Sequence, residues 1–159
     1  VSIDVKYISS SLSAGGIATG EQMLAAIALG ADGVQIGSLF AASAESSAHD
    51  DFKQAIVNTG EGGTKLMLKQ LAPVRLIKNE FFKKVEAAEL RGASVEELKE
   101  LLGKGRAKKG MFEGDLSEGE LEIGQVASYI HEILPVEVIM GKIILEFEEA
   151  KNRLTAMVY

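Results

Sequence analysis

The stretch Ala14-Gly15-Gly16-Ile17-Ala18-Thr19-Gly20, answered further on by Ala31-Asp32-Gly33-Val34-Gln35-Ile36-Gly37-Ser38, decides the fold. Upstream of it, Ile3, Val5 and Tyr7 alternate with polar residues and predict a strand, with Ser9, Ser10, Ser11 and Ser13 leading into the glycine pair. Two consecutive glycines at a strand end mark a turn with close backbone approach. Thr19 followed by Gln22 has the spacing of a capping box, and Met23, Leu24, Ile27 and Ala28 form one helical face that Gly30 ends. Ala31-Asp32-Gly33 then turns the chain into a second short strand, Val34 to Gly37, and Ser38-Leu39-Phe40 opens another turn or short helix. A strand, glycine loop, helix and strand in that order call for a parallel sheet, because parallel neighbours need a crossover and a helix is the usual one. The fold class is α/β.

Working outward, a helix is predicted from Asp50 to Thr59 with Phe52, Ile56 and Val57 inward, and Gly60-Glu61-Gly62-Gly63 is its exit loop. Thr64 to Leu68 and Val74 to Ile77 are short β-prone stretches on either side of Pro73. The remainder reads as mostly helical. Asn79 caps a helix carrying Phe81, Phe82, Val85 and Ala88, and Ser94 with Glu97 makes a second capping box before Leu98, Leu101 and Leu102. Gly92 and Gly103 punctuate these helices, Lys104 to Lys109 is a basic cluster, and Glu113 to Glu122 reads as an acidic surface loop. Two last helices are predicted from Gly124 to Ile133 and from Val136 to Ala156, the second with Ile139, Ile143, Ile144 and Phe147 on its apolar face.

The composition narrows the function classes. Twenty-three acidic against 17 basic residues give a net charge of −6, which argues against a nucleic-acid partner held by phosphate neutralisation. There is no cysteine, so disulfides, thiolate metal sites and a thiol nucleophile are excluded. No run of about 18 apolar residues is present to span a membrane, and a cytoplasmic protein is expected. At 159 residues the chain suits one core, whereas a complete β/α barrel needs about 250. Val1 stands where an initiator Met is ordinarily found, which fits a chain that begins mid-gene.

Ala14-Gly15-Gly16-Ile17-Ala18 and Gln35-Ile36-Gly37-Ser38 each stand at the C-terminal end of a predicted strand. Backbone N–H groups approach a phosphate closely where no Cβ intervenes, a following helix start adds a favourable dipole, and Ser38 adds a hydroxyl donor. Each loop by itself is more simply a turn. Two of them after consecutive strands match the phosphate site that β/α barrels build after strands seven and eight. The reading is therefore the C-terminal part of a (β/α)8 TIM barrel, about strands 7 and 8, in residues 1–60, followed by a mostly helical extension in 61–159.

These residues carry a resemblance to a known family. Ala14 to Gly20 and Ala28 to Ser38 look like the FMN-phosphate segment of the nitronate monooxygenases, formerly called 2-nitropropane dioxygenases, and of the related enoyl-acyl-carrier-protein reductase II group. Ser43 to His49, Pro73 to Asn79, Gly105 to Asp115 and Gly119 to Gln125 resemble the family's C-terminal stretches, so that the likeness runs from about Ala14 to Ala150. It implies noncovalent FMN, with Gly15 and Gly16 as one phosphate loop, Gln35, Ile36, Gly37 and Ser38 as the other, and Gly124 and Gln125 at the active-site edge. It further implies oxidation of alkyl nitronates with oxygen, or reduction of an enoyl thioester with NAD(P)H. Family members run an apolar strand straight into the glycine pair, whereas Lys6 and the serines stand here. The family's Gly-Gly-His segment, which holds the catalytic base, has no counterpart in these residues, so the catalytic residues are unassigned and the chain reads as the C-terminal half of a larger enzyme.

His49 and His131 are the only histidines, and the plainer reading of each is a capping or surface residue rather than a general base. The basic cluster reads as a solvated helix end in preference to a dock for an acidic carrier protein. Glu118, Glu120 and Glu122 alternate without a matching His or Asp, and no metal is assigned. The expected partners are a small-molecule substrate and NAD(P)H, with neither nucleic acid nor membrane. A noncatalytic half-barrel that binds phosphate, forms a homo-oligomer, or pairs with a separate N-terminal half to cover its sheet edge is the competing class.

Overall fold

The structure, a computed structural model, describes residues 11–157. The predicted strand around Ile3, Val5 and Tyr7 lies outside them. The chain divides into two compact units, one formed by residues up to Ile36 together with those from Gly141 onward, the other by Gly37–Met140.

In the first unit, β1 (Leu12–Ala14) and β2 (Gly33–Gln35) pair in parallel with Ala14 opposite Gln35, and α1 (Gly20–Ala28) is the crossover between them. The serine run is thus not wholly a lead-in loop: Ser13 lies within β1, and the strand enters Gly15 directly. Asp32 fixes the entrance, since its carboxylate accepts from the Ser11 N–H at 2.7 Å and its own N–H donates to the Ser11 carbonyl. Thr19 starts α1 as the sequence predicts. Its Oγ1 accepts from the Gln22 N–H at 3.2 Å, while the Gln22 amide oxygen accepts from the Thr19 N–H at 3.2 Å. The predicted apolar face is only partly covered, with Met23 and Leu24 half-buried and Ile27 and Ala28 exposed.

The start of α1 rests on the final helix, α7 (Val136–Thr155), whose residues from Gly141 belong to this unit. The Gly20 N–H donates to the Glu146 carboxylate at 2.8 Å, and a Cβ on Gly20 would run into the α7 backbone at Ile143 and Phe147. Ile143 and Ala150 are buried along α7, but Ile144, predicted on the same face, is exposed. One residue on from Ile143 turns about 100° around a helix, which carries Ile144 out of the stripe.

The second unit holds two apolar clusters. The β3 strand (Thr64–Met67) and β4 (Val74–Ile77) form an antiparallel hairpin that packs on α4 (Glu80–Leu90) and α5 (Val95–Leu102), burying Met67, Leu76, Phe81, Phe82, Val85 and Leu98. Fully burying a side chain of this size contributes roughly 1.5–3 kcal/mol. Both helix starts obey the predicted caps: Asn79 Oδ1 accepts from the Phe82 N–H at 2.8 Å, and Ser94 with Glu97 completes a capping box.

The second cluster joins Ala42, just after α2 (Ser38–Ala41), and Phe52 and Ile56 of α3 (Asp50–Val57) to Leu121, Ile123, Ala127 and Ile130. This corrects the reading of Glu113 to Glu122 as a surface loop. Its end runs beside β4, with the Ile77 N–H donating to the Leu121 carbonyl and the Ile123 N–H to the Arg75 carbonyl, and Leu121 is buried. The alternation of Leu121 and Ile123 across Glu122 is the strand signal that the acidic composition hid.

The helix predicted from Gly124 to Ile133 also shrinks. A 3₁₀ turn covers Gln125–Tyr129, Ile130 is extended, and the Leu134 carbonyl accepts from the Ala44 N–H instead of from a helical partner. The segment after α2 is tied down repeatedly: the Glu45 carboxylate accepts from the Val136 N–H, and the buried Lys53 Nζ donates to the Ala44 carbonyl at 3.2 Å. His49 caps α3, its Nδ1 accepting from the Asp51 N–H at 3.2 Å.

Candidate functional site

Parallel pairing sends β1 and β2 in the same direction, so Gly15-Gly16 and Ile36 emerge from neighbouring strand ends. Gly15 and Gly16 are exposed and both have left-handed backbone, with φ of +89° and +79°. Side chains rarely adopt that conformation, so this turn needs glycine for its shape. Gln35 is exposed and Ile36 half-buried.

Ala18, Thr19, Gly20 and Gln22 already use their N–H groups within the protein. Gln22 Oε1 takes the first two, Glu146 the third and Thr19 Oγ1 the fourth. The carboxylate of Glu146 occupies the place at the α1 start where an external anion would profit from the helix dipole. The dipole contribution expected from the sequence is therefore spent internally, and the glycine turn before the helix stays exposed.

In the second unit, Gly37 is exposed, has an ordinary φ of −99°, and a Cβ built on it would meet nothing within 4 Å. Neither backbone strain nor crowding among the described residues accounts for glycine there. Ser38, next to it, is only 9% exposed. Its Oγ accepts from the Gly124 N–H at 3.1 Å, which brings together a residue of the predicted phosphate loop and one predicted at the site's edge. Gln125 is exposed at the start of the 3₁₀ turn.

The remaining candidates have other duties. His49 is a cap, and His131 lies in an irregular segment rather than on the helix predicted for it. Lys104, Lys108 and Lys109 are exposed as expected, but Arg106 is not a free member of that cluster. Its guanidinium lies 4.4 Å from the centre of the Phe81 ring and donates to the Leu102 and Glu118 carbonyls. Lys108 pairs with Glu113 and Lys109 with Asp115, so the acidic segment neutralises the basic one.

Sequence reasoning missed the two carboxyls whose proton affinities are most displaced. Asp115 is held down to about 2 by its hydrogen bond to Lys109 and by the N–H groups of Glu118 and Ser117. Glu120, at 6% exposure, is pushed up to about 7, chiefly by burial and further by nearby Glu122, with Arg106 opposing. Nothing in a Glu-x-Glu pattern distinguishes the buried member, so no sequence signal could have found it.

Parallel strands joined by a helix, with a glycine turn directly after the first, make this an α/β protein. The chain belongs to the nitronate monooxygenase family, whose pattern matches residues 11–146, and this is a family of oxidoreductases. A probable nitronate monooxygenase of Staphylococcus aureus (strain JH9) is 45% identical over 53 residues, which cover 33% of this chain and 15% of that protein. Among solved structures, FabK from Thermotoga maritima is similar with a TM-score of 0.84 and 36% identity, over 92% of this chain and 47% of that one. A nitroalkane oxidase from Streptomyces ansochromogenes gives a TM-score of 0.69 and 30% identity, over 90% of this chain and 40% of that one. The chain thus spans less than half the length of these relatives.

Proposed function

We propose that this chain is the C-terminal half of an FMN-dependent (β/α)8-barrel oxidoreductase that oxidises alkyl nitronates with oxygen. In this reading residues 1–60 supply the last βα units, about strands 7 and 8, and 61–159 form the extension. The observation that carries it is the parallel register of Ala14 with Gln35, which starts both glycine segments from one end of a strand pair. The family match over residues 11–146 supports the same reading.

The residues present fit a phosphate. In the first unit Gly15 and Gly16 offer an exposed turn with left-handed backbone, and in the second Gly37 leaves open space among the described residues and Ser38 has a hydroxyl. Gln35 and Ile36 complete the second loop, while Gly124 and Gln125 edge the site. FMN, when bound, supplies the electron transfer, and the protein's part is to hold and orient it. The base that activates the substrate comes from outside these residues. A cytoplasmic location and a small-molecule substrate belong to the same proposal, as does packing against an N-terminal half or a second copy.

The decisive experiment replaces Gly37 with Asp in the complete protein. A unit negative charge about 4 Å from another costs about 4 kcal/mol at an effective dielectric of 20, so FMN affinity should fall roughly a thousandfold. A purified variant as yellow as the parent refutes the site. A second activity, NAD(P)H-dependent reduction of an enoyl thioester, is favoured by the higher similarity to FabK than to the nitroalkane oxidase. Turnover assays with an alkyl nitronate and with an enoyl thioester plus NAD(P)H separate the two. A colourless protein inactive in both supports the noncatalytic half-barrel.

A further inference from the structure

Ser38 presents an incomplete hydrogen-bond account. Its hydroxyl accepts from the Gly124 N–H at 3.1 Å, yet its own hydrogen has no acceptor among the described residues, although the residue is 9% exposed. A hydroxyl can accept and donate at once, so this one keeps a donor to spare. Gly124 has an ordinary extended backbone, with φ of −68° and ψ of 161°, so its conformation makes no demand for glycine. The demand comes from Ser38, because a Cβ on Gly124 would lie 2.6 Å from Ser38 Oγ, and its next neighbours are at 3.8 Å or beyond.

We propose that Gly124 is a positioning residue for Ser38: by occupying a lone pair of Oγ, its N–H turns the hydroxyl hydrogen away from the 3₁₀ segment and leaves it as a donor to an anion. This rests on the proposal that a flavin phosphate binds beside Ser38, and adds to it a role for the tail. The hydrogen bond couples ligand binding to the docking of Gly124–Tyr129. An anion accepting from Oγ–H increases the negative charge on Oγ and strengthens the bond it accepts from Gly124, since linked hydrogen bonds polarise one another. Bound phosphate therefore holds the 3₁₀ turn more firmly, and a loosened turn weakens the phosphate.

A double-mutant cycle tests this on the complete protein freed of flavin, with FMN binding followed by quenching of flavin fluorescence. Ser38→Ala and Gly124→Ala should each weaken FMN about tenfold, the loss expected for one hydrogen bond to a charged group. The double variant should bind no more weakly than either single one, because removing Oγ also removes the clash that the new methyl meets. Ser38→Thr, which keeps the hydroxyl, should bind FMN as the parent does. Amide exchange supplies a readout independent of Gly124→Ala folding: FMN, or inorganic phosphate, should slow exchange at Gly124 in the parent and not in Ser38→Ala. Additive losses in the cycle, or Gly124 exchange indifferent to FMN, overturn the proposal. If Gly37→Asp still abolishes binding in that case, the phosphate site stands and only the positioning role falls. If Gly37→Asp also binds normally, both fall.

Discussion

Two sets of glycines in this molecule answer to different constraints. Gly15 and Gly37 stand in open space, where an added Cβ would touch no atom of the described residues within 4 Å. Gly110 and Gly119 stand against each other and against backbone: a Cβ on Gly110 would lie 2.7 Å from the Glu120 carbonyl, and one on Gly119 would strike Gly110 and the Asp115 carbonyl. The crowded pair lets α6 (Arg106–Met111) and the Glu113 to Glu120 segment approach at backbone distance, which sets up the Arg106 contacts with Phe81 and Glu118. Crowding explains the second set from inside the chain. The first set is explained at Gly15 by its positive φ, and at Gly37 by neither strain nor crowding among the described residues. A glycine-rich motif thus has to be sorted by surroundings before it is read as a binding loop.

The largest effect that would break this contrast is at Gly119. Gly119→Ala should destabilise the protein by about 3 kcal/mol or more, the range for a clash that only backbone movement relieves. Gly37→Ala, as its control, should shift the thermal midpoint little. Equal midpoints for the two variants would erase the distinction.

A smaller effect concerns Glu120, the buried carboxyl of the same crowded segment. Its folded-state pKa of about 7 lies above the ordinary value of 4.5, so the native state retains a proton that the unfolded chain releases. The stability tied to that proton is fully present below about pH 4.5 and is lost as pH rises through about 7. Glu120→Gln should therefore raise the midpoint at pH 8 by several degrees while changing it little at pH 4, a shift equivalent to about 1–2 kcal/mol for a chain of this size. Midpoint curves against pH that run parallel for the two proteins would refute it. Asp115 has the opposite sign: held down to about 2, its contribution is lost as pH falls from about 4 toward 2.

The smallest effect sharpens the comparison on the open side. Thr19→Ala removes the cap of α1 and should cost about 1 kcal/mol in chemical denaturation. Because the α1 start is satisfied by Glu146, Gln22 and Thr19, the loss should be the same with and without phosphate in the buffer. A loss that phosphate enlarges or cancels would return the helix start to the binding site.

The helix α1 and the strand β2 after it, the capping boxes at Thr19 and Ser94, the Asn79 cap and the buried face of Phe81, Phe82, Val85 and Ala88 were legible in the sequence, because each depends on neighbours within a few positions, whereas β1 lies in what the sequence offered as a serine lead-in. The family resemblance was legible for the same reason, since it rests on contiguous glycine segments. Long-range pairing was not. The burial of Leu121 and Ile123 beside β4, the Glu146 carboxylate at Gly20 and the Gly124 bond to Ser38 join residues far apart in the chain, and no local pattern specifies which partner arrives. Sequence alone determined that this is an α/β chain with glycine turns after parallel strands. Tertiary structure decided which of those turns are open, which donors are already spent and which carboxyl is buried, because solvent access and hydrogen-bond partners are properties of packing that a linear spacing does not contain.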